Sequence, residues 1–279
     1  MKVAFSTLGC RVNQYESEAM AEKFIREGYE VVDFYEKAET EDYADVYVIN
    51  TCTVTNMGDK KSRQIISKAR RLNNNAIIAV VGCYSQMAPK EVSEIEGVDV
   101  VLGTRNKGDV VYYVNKARDE EKVQVHVEGV LKNKKFEDLN IEEYQDKTRA
   151  FLKIQDGCNR FCTYCAIPYA RGSVCSKEPR KVIDEVKKLA SHGFKEVILS
   201  GIHTASYGLD LDGNITLIDL IEDIEKLSTE LQGMSQAEVH KFLGEPVGQL
   251  SGFWGDIYQN SEKQSVIVYY DENGKVELV

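Results

Sequence analysis

Residues 157 to 172 read GCNRFCTYCAIPYARG and place Cys158, Cys162 and Cys165 in a C-x3-C-x2-C array. Thiols packed this densely hold metal or carry redox chemistry. A zinc site closes with four protein ligands, and ferredoxin-type clusters also take four cysteines. Here the local count stops at three. Three thiolates on a four-iron cluster leave one iron open, which lets the metal bind and activate a small molecule, as in reductive cleavage of S-adenosylmethionine. Two other closures stay open on spacing: a zinc knuckle completed by Cys175 or a histidine, and an electron-transfer cluster completed by Cys175.

Three further cysteines lie far apart in the first hundred residues. Cys10 follows KVAFSTLG, Cys52 follows ADVYVIN and Cys83 follows AIIAVVG, so each stands just past a strand-like apolar run. Between these runs come a helical pattern through Met20, Phe24 and Ile25 ending at Gly28, the run YEVVDFY, a helix over 60–72, a helix from Pro89 to Ile95, and the run VDVVLG. That alternation predicts a parallel α/β sheet. Parallel strands share one carboxyl edge, where ligands bind, so the three cysteines are expected to converge on a shared metal site.

Composition fits this reading. The chain has 279 residues, 43% hydrophobic and 29% charged, enough for one large core or two ordinary ones. No apolar run approaches the roughly 18 residues of a membrane span, and Met1-Lys2 leads straight into a strand, so the expected compartment is the cytoplasm. Thiols stay reduced there, which sets the seven cysteines against a disulfide framework. The net charge of −10 argues against a generally basic nucleic-acid binder; half of the excess sits in residues 230–279, with 8 acidic and 3 basic side chains. One helix, KKSRQIISKARR at 60–71, carries six basic residues opposite Ile65, Ile66, Ala69 and Leu72. Its outer face reads either as a solvated basic face or as a contact for RNA phosphate.

The sequence resembles the radical S-adenosylmethionine methylthiotransferases. The stretches TLGCRVNQYESE (7–18), NTCTVTNMGDKKSRQ (50–64), VGCYSQ (81–86), IQDGCNRFCTYCAIPYARG (154–172) and LSGIHTASYG (199–208) carry the likeness, which spans about residues 1–228. Their wording is most like the branch that acts on N6-threonylcarbamoyladenosine beside the tRNA anticodon; relatives act on isopentenyladenosine in tRNA or on an aspartate of a ribosomal protein.

The resemblance implies two [4Fe-4S] clusters. Cys10, Cys52 and Cys83 would hold an auxiliary cluster that supplies or carries sulfur, and Cys158, Cys162 and Cys165 would hold the radical-generating one, with S-adenosylmethionine on its free iron. One S-adenosylmethionine would yield a deoxyadenosyl radical that takes hydrogen from an adenine carbon, and another would methylate the sulfur. The net change is C–H to C–S–CH3. Implied partners are tRNA and an electron donor such as flavodoxin or ferredoxin. Among weaker signals, Asn50, Thr51 and Gly82 sit where they would either hydrogen-bond cluster sulfur or form turns. His203 is expected at the carboxyl edge of the strand KEVILSGI, near the radical site or facing solvent. Arg171 is assigned to the cofactor carboxylate or an RNA phosphate, with a loop salt bridge as the plainer reading.

The expected organisation is α/β throughout: an N-terminal parallel-sheet domain over 1–115, a charged linker over 116–148, the first two βα units of a radical barrel over 149–228, and a small α+β tail over 229–279. The tail resembles the helix-plus-sheet module of outer-membrane assembly lipoproteins and β-lactamase-inhibitor-like proteins. Ser235 would cap a helix carrying Val239 and Phe242, and QSVIVYYD and KVELV would pair through the turn ENG. With only two βα units, this chain is expected to bind clusters better than it turns over. The rival to the enzyme reading is a non-catalytic iron–sulfur protein or fusion product that keeps both cysteine sets.

Overall fold

Runs rich in Val, Ile and Ala without polar alternation suit strands covered on both faces, and the first of them build a parallel sheet. In the computed structural model its strands are β1 (Lys2–Thr7), β2 (Glu30–Val32), β3 (Val46–Thr51), β4 (Ile77–Gly82), β5 (Val100–Leu102) and β6 (Gln124–His126), in the order β2-β1-β3-β4-β5-β6. Every pairing is parallel. The residues described are 1–34, 43–53, 56–131, 135–139, 141, 149–191, 194, 196–231, 235–243, 246, 248–249, 255–259, 265–270, 273 and 275–278. Of the charged connection expected at 116–148, residues 132–134, 140 and 142–148 lie outside them, as do most of the ENG turn and the side chain of Phe242; the described part contributes β6 to the sheet.

Helices cover both faces of this sheet. On one side α1 (Arg11–Arg26) and α5 (Val110–Glu120) bury Met20, Phe24, Val110, Val114 and Ala117 against Val3, Val46, Val48, Val81 and Leu102. On the other, α2 (Asn56–Leu72), the short α3 (Cys83–Met87) and α4 (Pro89–Ser93) bury Ile66, Ala69, Tyr84 and Val92 against Tyr47, Ile49, Ile78 and Val80. Each fully buried Phe, Val or Ile is worth about 1.5–3 kcal/mol, so Phe24, at 0% exposure with edge-to-face contacts to Phe5 and Tyr29, anchors α1.

The second half carries β7 (Arg149–Asp156), α6 (Ile167–Arg171), β8 (Cys175–Ser176), α7 (Pro179–Ser191), β9 (Glu196–Gly201) and α8 (Leu217–Leu231). The strands form a sheet in the order β8-β7-β9, with β8 antiparallel to β7. The two βα units read in the sequence are thus β7 with α7 and β9 with α8, and β8 is an addition. Beyond them, α9 (Gln236–Leu243) precedes an antiparallel sheet of β10 (Gly248–Gln249), β11 (Gly255–Gln259), β12 (Ser265–Tyr270) and β13 (Val276–Leu278). Glu238 Oε2 accepts both Ser235 N–H (2.8 Å) and Ser235 Oγ–H (2.7 Å) at the start of α9, which packs Val239 into the interior while Gln236 and His240 hold the buried Asp256 of β11.

The chain divides into two compact units. One comprises residues 1–141, 153–177 and 199–210, and the other residues 142–152, 178–198 and 211–279. Both cysteine triads fall in the first unit.

Candidate metal centre and its supporting network

Strands β1, β3 and β4 are neighbours, and the strand order reverses between β1 and β3, the switch point where α/β sheets open a crevice at the carboxyl edge. Cys10 stands at that edge as the N-cap of α1, Cys52 directly follows β3, and Cys83 opens α3 directly after β4. All are free thiols, exposed, half-buried and buried respectively. Gly9 lets the first two loops approach: its φ is +101°, and a Cβ there would stand 2.7 Å from Cys52 Cβ and 2.9 Å from Cys52 Sγ. Asn13, one turn into α1, binds the same loops, because its Nδ2 donates to Leu8 O (2.7 Å) and Thr51 O (3.0 Å). Asn50 closes the bracket, donating to Asn13 O (2.9 Å) and Ser17 Oγ (3.0 Å).

The second triad leaves the carboxyl end of β7. Gly157, with φ +70°, makes the turn; a Cβ on it would lie 2.0 Å from Ser173 O. The loop is then pinned by Cys158 N–H to Gly172 O (3.0 Å), Val174 N–H to Asn159 Oδ1 (3.0 Å) and Cys165 N–H to Cys162 O (2.9 Å). Phe161, between the first two cysteines, holds φ +46°, a left-handed conformation costing a non-glycine residue of order 1–3 kcal/mol. Cys158 and Cys165 are half-buried and Cys162 is exposed.

Beneath the two loops lies a buried charge network. Arg171, at the end of α6 and 1% exposed, donates from Nη1 to both oxygens of Asp156 (3.1 Å each) and to Glu16 Oε1 (3.2 Å), and from Nη2 to Glu16 Oε2 (3.2 Å) and Asn13 Oδ1. Lys153 of β7 reaches Glu16 Oε1 (2.7 Å) and Asp156 Oδ2 (3.0 Å), and Lys107 binds Glu16 Oε2. Burial alone would raise the Glu16 carboxyl, but Arg171, Lys107 and Lys153 outweigh it and hold it well below the usual carboxylate range. Asp156 is lowered in the same way, with Arg171 and Lys153 overcoming burial. Burial pushes the Cys83 thiol up, opposed by Arg171 and Lys107. Glu137, half-buried and accepting Gly108 N–H at 2.8 Å, is raised by desolvation to about 6 against the pull of Lys153.

The salt bridge, one of the readings open to Arg171 in the sequence, is present: the buried guanidinium is engaged by Glu16, Asp156 and Asn13. His203 is tied through its backbone to the strand that leads into the second triad. Its backbone N–H donates to Gln155 Oε1 (2.7 Å), Gln155 Nε2 bonds Asp156 O and Gly157 O, and the ring Nδ1 lies 2.5 Å from Ser206 Oγ. Cys175 is buried in β8, where Arg105 Nη1 donates to its sulfur at 2.7 Å. The basic face of α2 is partly spent on the fold: Arg63 binds Tyr84 and Glu91, and Arg70 binds Ala76 O and Asp99.

Asn13, Glu16, Lys107, Lys153, Asp156, Arg105 and Gln155 are absent from the sequence-level site. A signal for two of them exists in α1: stepping back from Phe24 and Met20 by helical repeats reaches Glu16 and Asn13, polar residues on a face that is otherwise core. Among the described residues no three His, Cys, Asp or Glu side chains form a group able to hold a metal as they stand. The donor chemistry nonetheless fits iron–sulfur clusters. Each set offers three free thiols and no carboxylate or imidazole set, and the Gly9 contact gives the Cys10 and Cys52 loops the close approach a shared cluster needs.

Comparison with known proteins bears on the same two regions. Residues 2–103 match the profile described as Uncharacterized protein family UPF0004, and residues 152–248 match that of the Radical SAM superfamily. The chain is 45% identical over 238 residues to the threonylcarbamoyladenosine tRNA methylthiotransferase MtaB of Bacillus subtilis, covering 85% of this chain and 50% of that protein. It is 43% identical over 245 residues to the protein of the same name from Aquifex aeolicus, covering 87% and 58%. A tRNA-2-methylthio-N(6)-dimethylallyladenosine synthase of Clostridium botulinum is 35% identical over 231 residues, covering 79% and 49%. The chain spans about half the length of the curated relatives it matches.

A doubly wound sheet with thiols along its carboxyl edge, followed by a three-cysteine βα region, defines the class as a radical S-adenosylmethionine protein with an added N-terminal thiol site. Within that class, the chain belongs to the radical S-adenosylmethionine methylthiotransferase family. The family uses S-adenosylmethionine and implies two [4Fe-4S] clusters. Among the described residues no helix is long and apolar enough to cross a membrane.

Proposed function

We propose that the protein is a cytoplasmic tRNA methylthiotransferase acting on N6-threonylcarbamoyladenosine. Cys10, Cys52 and Cys83 would hold one cluster, and Cys158, Cys162 and Cys165 the other. When bound, the clusters and S-adenosylmethionine supply the one-electron chemistry and the sulfur for turning an adenine C–H into C–S–CH3, a bond with no leaving group for acid–base catalysis. The observation that carries this reading is the placement of both thiol triads in one compact unit, over a single buried network that contacts the segments flanking each.

The chain's own residues have defined tasks in it. Gly9 and Asn13 bring the Cys10 and Cys52 loops together. Gly157 and the Cys158–Gly172 hydrogen bond set the second loop, and Gln155 fixes the His203 backbone beside it. Phe161 and Tyr164 flank Cys162 in sequence; Phe161 packs edge-to-face with Tyr169, and the exposed Tyr164 side chain would be a stacking surface for a flat ligand. An electron donor of the flavodoxin or ferredoxin type completes the partner set.

The test is mass spectrometry of tRNA nucleosides from a host lacking its own enzyme and expressing this protein. A methylthio mass gain on threonylcarbamoyladenosine is expected. A gain on isopentenyladenosine would move the protein to the sister branch, and no gain on either nucleoside, with both clusters loaded, would favour a non-catalytic iron–sulfur protein.

A further inference from the structure

Arg171 belongs to the second cysteine motif, six residues after Cys165, yet one of its ends lies in the first. Its Nη2 donates to Asn13 Oδ1, and that bond fixes which way the Asn13 amide faces. With the oxygen turned to Arg171, Asn13 Nδ2 points at Leu8 O and Thr51 O, the carbonyls two residues before Cys10 and one before Cys52. The other end of the guanidinium grips Asp156, two residues before Cys158, and Asp156 Oδ1 in turn accepts Gly157 N–H at 2.8 Å. Both side chains are 1% exposed, so neither bond is exchanged for water. The Arg171 carbonyl is held as well, by Arg105 Nη2 at 2.6 Å from the loop that follows β5.

We propose that Arg171 and Asn13 form a positioning relay through which the second cysteine motif sets the Cys10 and Cys52 loops, so that the geometry of the first thiol site depends on a residue of the second. The relay rests on the reading that both triads hold clusters, but its first consequence needs no metal. Without the Arg171 bond the amide is free to turn, the two carbonyls lose their shared donor, and the Cys52 loop opens more often.

The experiment uses the full chain in two states. In the metal-free protein, alkylation of each thiol by iodoacetamide is followed by mass spectrometry for wild type, Arg171→Gln and Asn13→Asp. Asn13→Asp keeps an oxygen for Arg171 and removes both donations; it adds one carboxylate to the network but leaves every existing charge in place, and so keeps the test open if Arg171→Gln unfolds. Cys52 is expected to react about fivefold faster in both variants, the scale of one lost buried hydrogen bond. The second state is the Cys158→Ala, Cys162→Ala, Cys165→Ala protein loaded with iron and sulfide. Adding Asn13→Asp or Arg171→Lys there is expected to shift the electron paramagnetic resonance signature of the reduced remaining cluster, although no ligand is changed. Unaltered Cys52 reactivity in a folded Asn13→Asp protein overturns the relay, as does an unaltered cluster signature in both loaded variants. If the triple-alanine parent takes up no iron, the cluster reading fails instead, and the alkylation rates still decide the relay.

Discussion

Glu16 is the residue whose removal the structure prices most sharply. It is fully buried in α1 and accepts hydrogen bonds from Lys107, Lys153 (2.7 Å) and both terminal nitrogens of Arg171 (3.2 Å each). Glu16→Gln preserves shape and removes the charge, leaving Lys153 and Arg171 to share Asp156 and depriving buried Lys107 of the carboxylate it binds. Breaking a buried ion pair by removing one partner costs about 3–5 kcal/mol, because the cations stay out of water without compensation. The comparison is the Arg149–Glu196 pair, whose side chains are 56% and 50% exposed; Glu196→Gln should cost no more than about 1 kcal/mol. Urea unfolding of the metal-free chain by circular dichroism measures both. The Glu16→Gln midpoint should fall by about 1 M or more. The Glu16 carboxyl is held well below the ordinary range, so its contribution is present above its unfolded pKa and lost only as pH falls through the lowered value. The difference from wild type should therefore stay flat from pH 8 down to about 5. A Glu16→Gln protein within about 1 kcal/mol of wild type, no worse than Glu196→Gln, would refute the electrostatic argument.

Glu137 has the opposite sign: its folded pKa of about 6 lies above the ordinary 4.5, so its contribution is full below about 4.5 and is lost as pH rises through 6. Glu137→Gln should match wild type near pH 4.5 and exceed it by up to about 2 kcal/mol at pH 7.5 in the same unfolding assay. Gly157→Ala forces a Cβ to within 2.0 Å of Ser173 O at φ +70°, so beyond the roughly 1–2 kcal/mol of left-handed backbone cost it should distort the Cys158 loop. Iron and sulfide analysis should show the second site lost and the first kept. Ser235→Ala removes the Oγ–H bond to Glu238 and keeps the backbone one, so it should cost no more than about 1 kcal/mol in thermal unfolding, with the iron content of neither triad altered.

The thiol sites were legible because strand polarity is written locally. KVAFSTLG, ADVYVIN and AIIAVVG are apolar runs of strand length, parallel order follows from the helices between them, and Cys10, Cys52 and Cys83 then share an edge without any knowledge of side-chain contacts. What holds the sites could not be read that way. Glu16 and Arg171 are 155 positions apart, and each alone looks like an ordinary surface charge on a helix or loop. Helix α5 was hidden for a local reason: VVYYV is β-branched and aromatic, and only the burial of Val110, Val114 and Ala117 at helical spacing decides its form. Strand β8, two residues long, is set by pairing of Cys175 and Ser176 with Asp156 and Gln155, which no local signal announces.

The central claim is that two thiol triads of one compact unit each hold a [4Fe-4S] cluster. Anaerobic reconstitution of the full chain with iron and sulfide, followed by metal analysis and Mössbauer spectroscopy, tests it most directly. The account predicts that replacing Cys158, Cys162 and Cys165 by alanine halves the bound iron and leaves the spectrum of a four-iron cluster on Cys10, Cys52 and Cys83. Complete loss of iron in that variant, or full retention of it, would contradict the claim.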